Sequence, residues 1–163
     1  ALGAFVWIPL PFTPVPITLQ TFFVLLGGAV LGRRLGALSQ ILYLGLGSLG
    51  LPIFAGVSGG LSRLVGPTGG YLIGFVLAAH LVGRMAERGK ASLWSLMLIM
   101  GVGEAIILFS GTLWLAWVLR IGIGQSLCLG LIPFLPGDLV KLMGAASICY
   151  SIQSKLIASS NKQ

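Results

Sequence analysis

The sequence predicts an all-α, polytopic membrane protein, and three observations carry that prediction. Hydrophobic residues make up 56% of the chain, charged residues only 8%, and the mean hydropathy is +1.04; soluble domains average about 25% charged residues. A membrane span takes about 20 apolar residues, so the 163 residues accommodate five or six spans and little else. Between the apolar runs, Gly50 to Tyr71 (GLPIFAGVSGGLSRLVGPTGGY) holds seven glycines and two prolines. Irregular backbone near membrane depth persists only where it is packed in protein or lines a polar cavity, because an unpaired peptide group in lipid costs several kcal/mol. The expectation is one transmembrane domain over residues 1–163, multi-pass in the cell membrane and built around a ligand cavity.

Residues 1–8 read as the end of a helix. The chain opens on ALGAFVWIPLP, without an initiating Met or a basic leader region. A cleavable signal peptide is therefore not predicted, and an upstream part of the first helix is expected to be missing. Pro9, Pro11, Pro14 and Pro16 enforce an extended, stiff loop, either a plain connector or a substrate lid in which Phe12 and Val15 do the covering. A second helix runs from Ile17 to Gly32, with Thr18, Gln20 and Thr21 in its first turns. Arg33 and Arg34 follow, and a third helix runs from about Leu35 to Leu51. Gly27, Gly28, Gly45 and Gly47 predict close helix packing, since small residues let backbones touch where no hydrophobic drive separates helix from lipid.

After the glycine-rich loop, a fourth helix covers about Gly70 to Arg84 and ends in a basic connector, Arg84 to Lys90. The fifth helix spans roughly Ser92 to Leu119. Residues 121–133 are apolar but glycine-dotted, a loop or a broken re-entrant piece. The last helix starts near Pro136 and reaches about Lys155, before the tail SSNKQ.

If every apolar run crosses once, Arg33, Arg34, Arg84, Arg88, Lys90, Lys155 and Lys162 share one face, which the positive-inside rule makes cytoplasmic, together with the C-terminus. The proline loop, the glycine-rich loop and the start of the last helix converge on the outer face. The net charge of +7 is thus accounted for by topology. The basic residues form no stripe interleaved with aromatics, so nucleic acid is not an expected partner. Cys128 and Cys149 lie far apart without CxxC spacing, which indicates neither a disulfide framework nor a metal site. No cofactor is implied.

In PFLPGDLVK, Pro136-Gly137 sets a helix start, which puts Asp138 at or near the N-cap and Lys141 on the same face. The pair is either a cap with a local ion pair or a ligand site offering an acceptor and donors. Glu104 is a lone acid inside the fifth helix, paired with something such as Arg120 or lining a pocket; no second acid at matching depth is evident for a proton relay. His80 reads as an interfacial histidine. GPTGGY lacks the lysine of a phosphate loop. Instead Thr68 can cap the fourth helix, Gly69 and Gly70 permit close approach of a ligand or a neighbouring helix, and Tyr71 offers a ring and a hydroxyl.

Taken together, PFTPVPITLQTFFVLLGGAVLG, RLGALSQILYLGLGSLGLPIFAG, GPTGGYLIGF and PFLPGDLVK resemble the BioY family, the biotin-binding S components of energy-coupling-factor (ECF) transporters. The strings occur in the family's order over about residues 9–75 and 133–145. The resemblance implies a six-helix S-component bundle in the lipid bilayer that binds biotin near the outer face. It also implies docking on an energy-coupling module of one transmembrane coupling protein and two ATPases, with no hydrolysis by the S component itself. Carried over by motif, Asp138 and Lys141 would contact the biotin head. The Phe54 to Gly60 loop, with Phe54 and Ser58, and Gly69, Gly70 and Tyr71 would shape the pocket, PLPFTPVP would cover it, and Arg63 is the candidate donor to the carboxylate. The family's small-residue motif on the first helix would lie mostly upstream of Ala1, leaving Ala1, Gly3 and Ala4.

Three rivals stay beside this reading. An S component for another small vitamin would use the same architecture. An intramembrane enzyme using Glu104, Asp138 and His80 would need those residues at one depth. A structural membrane subunit would need no polar pocket.

Overall fold

The computed structural model describes residues 1–88 and 92–160. Helices dominate: α1 (Leu2–Phe5), α2 (Gln20–Ser48), α3 (Leu61–Val65), α4 (Gly69–Ala86), α5 (Leu93–Leu119), α6 (Ile123–Gly130) and α7 (Leu135–Ser160). Gly89 and Lys90 of the expected connector, and the tail from Asn161 with Lys162, lie outside the described residues.

Helix α2 is a hairpin, not a rod. Gly32 takes φ 79°, ψ 176°, a conformation open to glycine because it lacks a Cβ, and the chain reverses there. A Cβ placed on Gly36 would lie 3.0 Å from the Cα of Gly28, whereas eight residues along a straight helix separate atoms by about 12 Å. Gln20 and Tyr43 hydrogen-bond across the two legs. The break expected at Gly32 is therefore present, between legs 20–31 and 33–48. The first leg rises only about 18 Å, short of a hydrocarbon core of about 30 Å, and the strand Thr13–Thr18 leads directly into it.

That strand corrects the reading of the N-terminal segment. Only Leu2–Phe5 is helical, and Trp7 and Ile8 already belong to β1 (Trp7–Leu10), which pairs antiparallel with β2 (Thr13–Thr18). The prolines do give extended backbone, but it is a hairpin rather than a loop. Trp7 faces Thr18, Ile8 faces Ile17 and Leu10 faces Thr13, with the ladder irregular at Pro9, which has no N–H to give it. Helix α2 consequently starts at Gln20 and not at Ile17.

Helix α4 sits at the centre, with Ala78, Ala79 and Val82 fully buried. Small residues bring its neighbours to backbone contact. A Cβ on Gly28 would meet Ala79 O at 2.8 Å, and one on Gly83 would meet Arg33 N at 2.4 Å. Gly74 abuts Ile107 of α5 in the same way. Gly47 receives the Phe54 ring, but Gly27 and Gly45 have nothing within 4 Å, so half of the glycines expected at helix contacts face outward. Large apolar side chains cover the exterior, among them Phe109, Leu98 and Leu77. Trp94 and Trp117, both strongly exposed, stand about 34 Å apart along α5, matching the two interfacial levels where tryptophan concentrates.

The segment read as re-entrant is helix α6, joined to α7 at a 54° bend. Tyr71 holds it by donating its hydroxyl to Gly130 O at 2.6 Å. Helices α4, α5 and the bent α6–α7 pair are each long and apolar enough to cross a membrane. With the two legs of α2 they make a polytopic bundle. The basic termini Arg33, Arg84 and Arg88 gather at one end, where Glu87 accepts from Arg33 N at 2.8 Å and pairs with its guanidinium at 3.6 Å. The β-hairpin, the glycine-rich segment and the start of α7 gather at the other.

Candidate ligand-binding site

The start of α7 supplies the strongest charges. The helix begins at Leu135, and the Asp138 N–H already donates to Phe134 O at 2.8 Å. Asp138 therefore lies inside the first turn rather than at the N-cap. Asp138 and Lys141 form an ion pair whose side chains are 4% and 10% exposed. Burying two charges costs several kcal/mol each unless the pair is well bonded. Here Lys141 Nζ also donates to Thr18 O, at the end of β2, at 2.9 Å. An ammonium has three N–H donors, so one is left over.

These groups form one wall of a cleft at the hairpin end of the bundle. Val15, Pro16 and Thr18 of β2 cover it, and Gln20 and Thr21 of α2 continue that wall. Phe54, Ala55, Arg63 and Thr68 come from the glycine-rich segment, while Tyr71, Leu72 and Phe75 of α4 and Ile107 and Leu108 of α5 make the apolar floor. Phe134 completes the wall beside Asp138 and Lys141. The walls leave about 660 Å³ of unfilled space, part of it open to the exterior. The combination of an apolar floor, one buried ion pair and one guanidinium suits a mostly apolar ligand with a polar head and an anionic end.

Of the residues singled out from sequence, Asp138, Lys141, Tyr71, Phe54 and Arg63 converge on this cleft. Ser58, Gly69 and Gly70 are not among its walls. Ser58 pairs with Phe54 through backbone hydrogen bonds and donates its hydroxyl to Ala55 O, which shapes the loop that carries Phe54. Gly69 packs against the Leu64 carbonyl of α3, and Gly70 against α5: a Cβ on Gly70 would lie 2.2 Å from Trp114 Cβ and 2.5 Å from Ser110 O. Trp114 in turn donates its indole N–H to Gly66 O. Thr68 stands at the N-cap of α4 but spends its hydroxyl on Arg63 O at 3.3 Å instead of capping. Val15 is buried under the hairpin while Phe12 is exposed.

Gln20 and Thr21 are expected on a helix with no assigned role. Both are buried in the cleft wall, and the signal was their polarity in an otherwise apolar stretch, TLQT. Glu104 and Asp138, expected at different depths, come together. Glu104 is buried with neither oxygen hydrogen-bonded among the described residues. Glu104 and Asp138 line a second, open cleft between α5 and α7. A second acid therefore does stand at its depth. Arg120, at the C-cap of α5, is about 24 Å further along that helix and is no partner. His80 is exposed, about 13 Å along α4 from Tyr71.

A polytopic membrane bundle with a cleft at one end that holds a buried ion pair is the class of protein this architecture defines. Comparison with known proteins narrows it. A family model described as the BioY family matches residues 1–158. The chain is 43% identical over 148 residues to the biotin transporter BioY of Thermotoga maritima, covering 90% of this chain and 86% of that protein. It is 45% identical over 141 residues to a probable biotin transporter BioY of Pyrococcus horikoshii, covering 86% and 82%. The crystal structure of the S-component for biotin from an ECF-type ABC transporter superposes with a TM-score of 0.86 at 31% identity, covering 94% of this chain and 83% of that one. The chain belongs to the BioY family. Its members are transport components rather than enzymes, which sets aside the intramembrane-enzyme reading.

Proposed function

We propose that the protein is the biotin-capturing component of a vitamin uptake system. It takes biotin at the external face and delivers it together with an ATP-driven energy-coupling module of one transmembrane coupling protein and two ATPases. The observation that carries this reading is the buried Asp138–Lys141 pair in the wall of an otherwise apolar cleft. Biotin brings two ureido N–H donors, a carbonyl acceptor, an apolar bicycle and chain, and a carboxylate. Asp138 accepts a ureido N–H, the spare N–H of Lys141 serves the ureido carbonyl, Phe54, Tyr71 and Phe75 hold the apolar body, and Arg63 meets the carboxylate. The relatives named above support the choice of biotin and of an ECF-type partner. Titration of biotin into the detergent-solubilised protein tests it: saturable binding with a rise in melting temperature is expected. Absence of binding, with protection by a different vitamin, would replace biotin with that vitamin.

We also propose that the cleft faces outward and the C-terminus lies in the cytoplasm. The end bearing Arg33, Arg84 and Arg88 is opposite the cleft, as the positive-inside rule requires. Cys128 is exposed on α6 and Cys149 is buried in α7. A membrane-impermeant thiol reagent applied to intact cells should label Cys128 and not Cys149; labelling of Cys128 only after the cytoplasmic side is opened would invert the topology.

A further inference from the structure

The first turn of α2 presents polar groups that the fold does not use. Thr21 is 8% exposed, its Oγ1 is buried without a hydrogen-bond partner among the described residues, and the residue lines the cleft. A helical threonine ordinarily returns its hydroxyl to the carbonyl four residues back. For Thr21 that residue is Ile17, which is paired with Ile8 in the β-hairpin, so the usual acceptor lies outside the helix. The hydroxyl is left without a partner among the described residues, on a residue that lines the cleft. A buried, unmade hydrogen bond is costly, and such groups persist in native proteins where something else satisfies them.

Gln20 stands beside it with a fixed amide. The Tyr43 hydroxyl donates to Ile53 O at 3.1 Å and accepts from Gln20 Nε2. With its N–H₂ end committed to Tyr43, the Gln20 side chain turns its Oε1, an acceptor, away from that bond, and no hydrogen bond among the described residues uses it. Gln20 also lines the cleft. The neighbouring Thr18 carbonyl is held by Lys141, so this turn and the Asp138–Lys141 pair flank one space.

We propose that the first turn of α2 is a second polar contact wall for the bound ligand, in which the Thr21 hydroxyl and the Tyr43-oriented Gln20 carbonyl read polar head-group atoms that the α7 ion pair leaves unmet. This rests on the reading of the protein as a biotin binder. A cyclic urea has two N–H groups and a carbonyl with two lone pairs. Asp138 and Lys141 satisfy part of that set, and an acceptor and a hydroxyl from the opposite side complete it. Thr21 is a specificity-determining residue here, and Tyr43 a positioning residue acting through Gln20.

The test is biotin titration and thermal unfolding of Thr21→Val, Thr21→Ser and Tyr43→Phe beside the unaltered protein. Valine keeps the shape and deletes the hydroxyl. Thr21→Val should bind biotin about tenfold more weakly, while the ligand-free protein melts at the same temperature or higher because an unpaired buried group is gone. Thr21→Ser should restore affinity to within about threefold. Tyr43→Phe should weaken binding at least threefold by releasing the Gln20 amide. Thr21→Val binding within twofold of the unaltered protein would overturn the proposal, as would a serine variant as weak as valine. If the unaltered protein itself does not bind biotin, the functional reading fails, and this inference with it.

Discussion

The two ends of the bundle are built on opposite plans. At the basic end, Gly28, Gly36, Ala79 and Gly83 press backbone on backbone with no room for a methyl group, and the Glu87 carboxylate takes up the Arg33 N–H. At the hairpin end, prolines and glycines hold irregular chain, and polar groups of Gln20, Thr21 and Lys141 are left with capacity unspent. Close packing is concentrated at the basic end, and unmet hydrogen-bonding capacity around the cleft. Stability and affinity should therefore be separable by mutation.

Substitution at the packed end carries the largest expected effect. Gly83→Val drives a branched side chain into the Gly32–Arg33 backbone, which cannot retreat without separating α4 from the α2 hairpin. A loss of about 3 kcal/mol or more is expected, seen as aggregation on size-exclusion chromatography or a steep fall in melting temperature. A Gly83→Val protein that melts normally would break the contrast between the ends.

At the hairpin end, Asp138→Asn should weaken biotin binding by roughly tenfold to over a hundredfold, the worth of a charge-assisted hydrogen bond of about 1.5–3 kcal/mol. It should also destabilise the ligand-free protein, because Lys141 is left buried without its counter-charge. The double variant Asp138→Leu with Lys141→Met sharpens the distinction. Replacing a whole buried ion pair by apolar residues is often neutral or stabilising, so its melting temperature should recover while binding stays lost. Recovery of both would show that the pair serves folding alone.

The smallest effect belongs to Glu87→Gln. The Arg33–Glu87 side chains are 40% and 46% exposed, and exposed ion pairs contribute at most about 1 kcal/mol. The amide oxygen of glutamine can still accept from Arg33 N, so biotin affinity should be unchanged and the melting temperature should move by only a few degrees.

What could be read from the sequence followed the range of the physics involved. Gly32-Arg33-Arg34 announced a helix boundary because a flexible residue and two charges interrupt an apolar run locally. Asp138 and Lys141 stood out because charges are rare in such a chain, yet their burial was not legible: it depends on Thr18, far away in sequence. The prolines fixed extended backbone at residues 9–16, but strand pairing needed the register with Trp7 and Ile8. Gly69-Gly70 allowed a ligand or a helix, and only the position of Trp114 decided between them. Glu104 looked isolated from Asp138 because nothing in either segment encodes the approach of α5 to α7. Gln20 and Thr21 went unassigned for a similar reason, since their isolation from backbone acceptors arises only where a strand runs directly into a helix.

The Lys141–Thr18 hydrogen bond joins residues separated by 123 positions in the chain. During synthesis, α2, α4 and α5 can settle against one another before α7 leaves the ribosome, because their contacts need nothing beyond residue 119. The site cannot, since its ion pair lies on α7, is made after those helices and closes on a strand that precedes α2. Contacts of such separation form late and after the largest loss of chain freedom. Vitamin present as α7 inserts would draw that step toward completion by mass action, making the cargo a participant in the maturation of its own carrier.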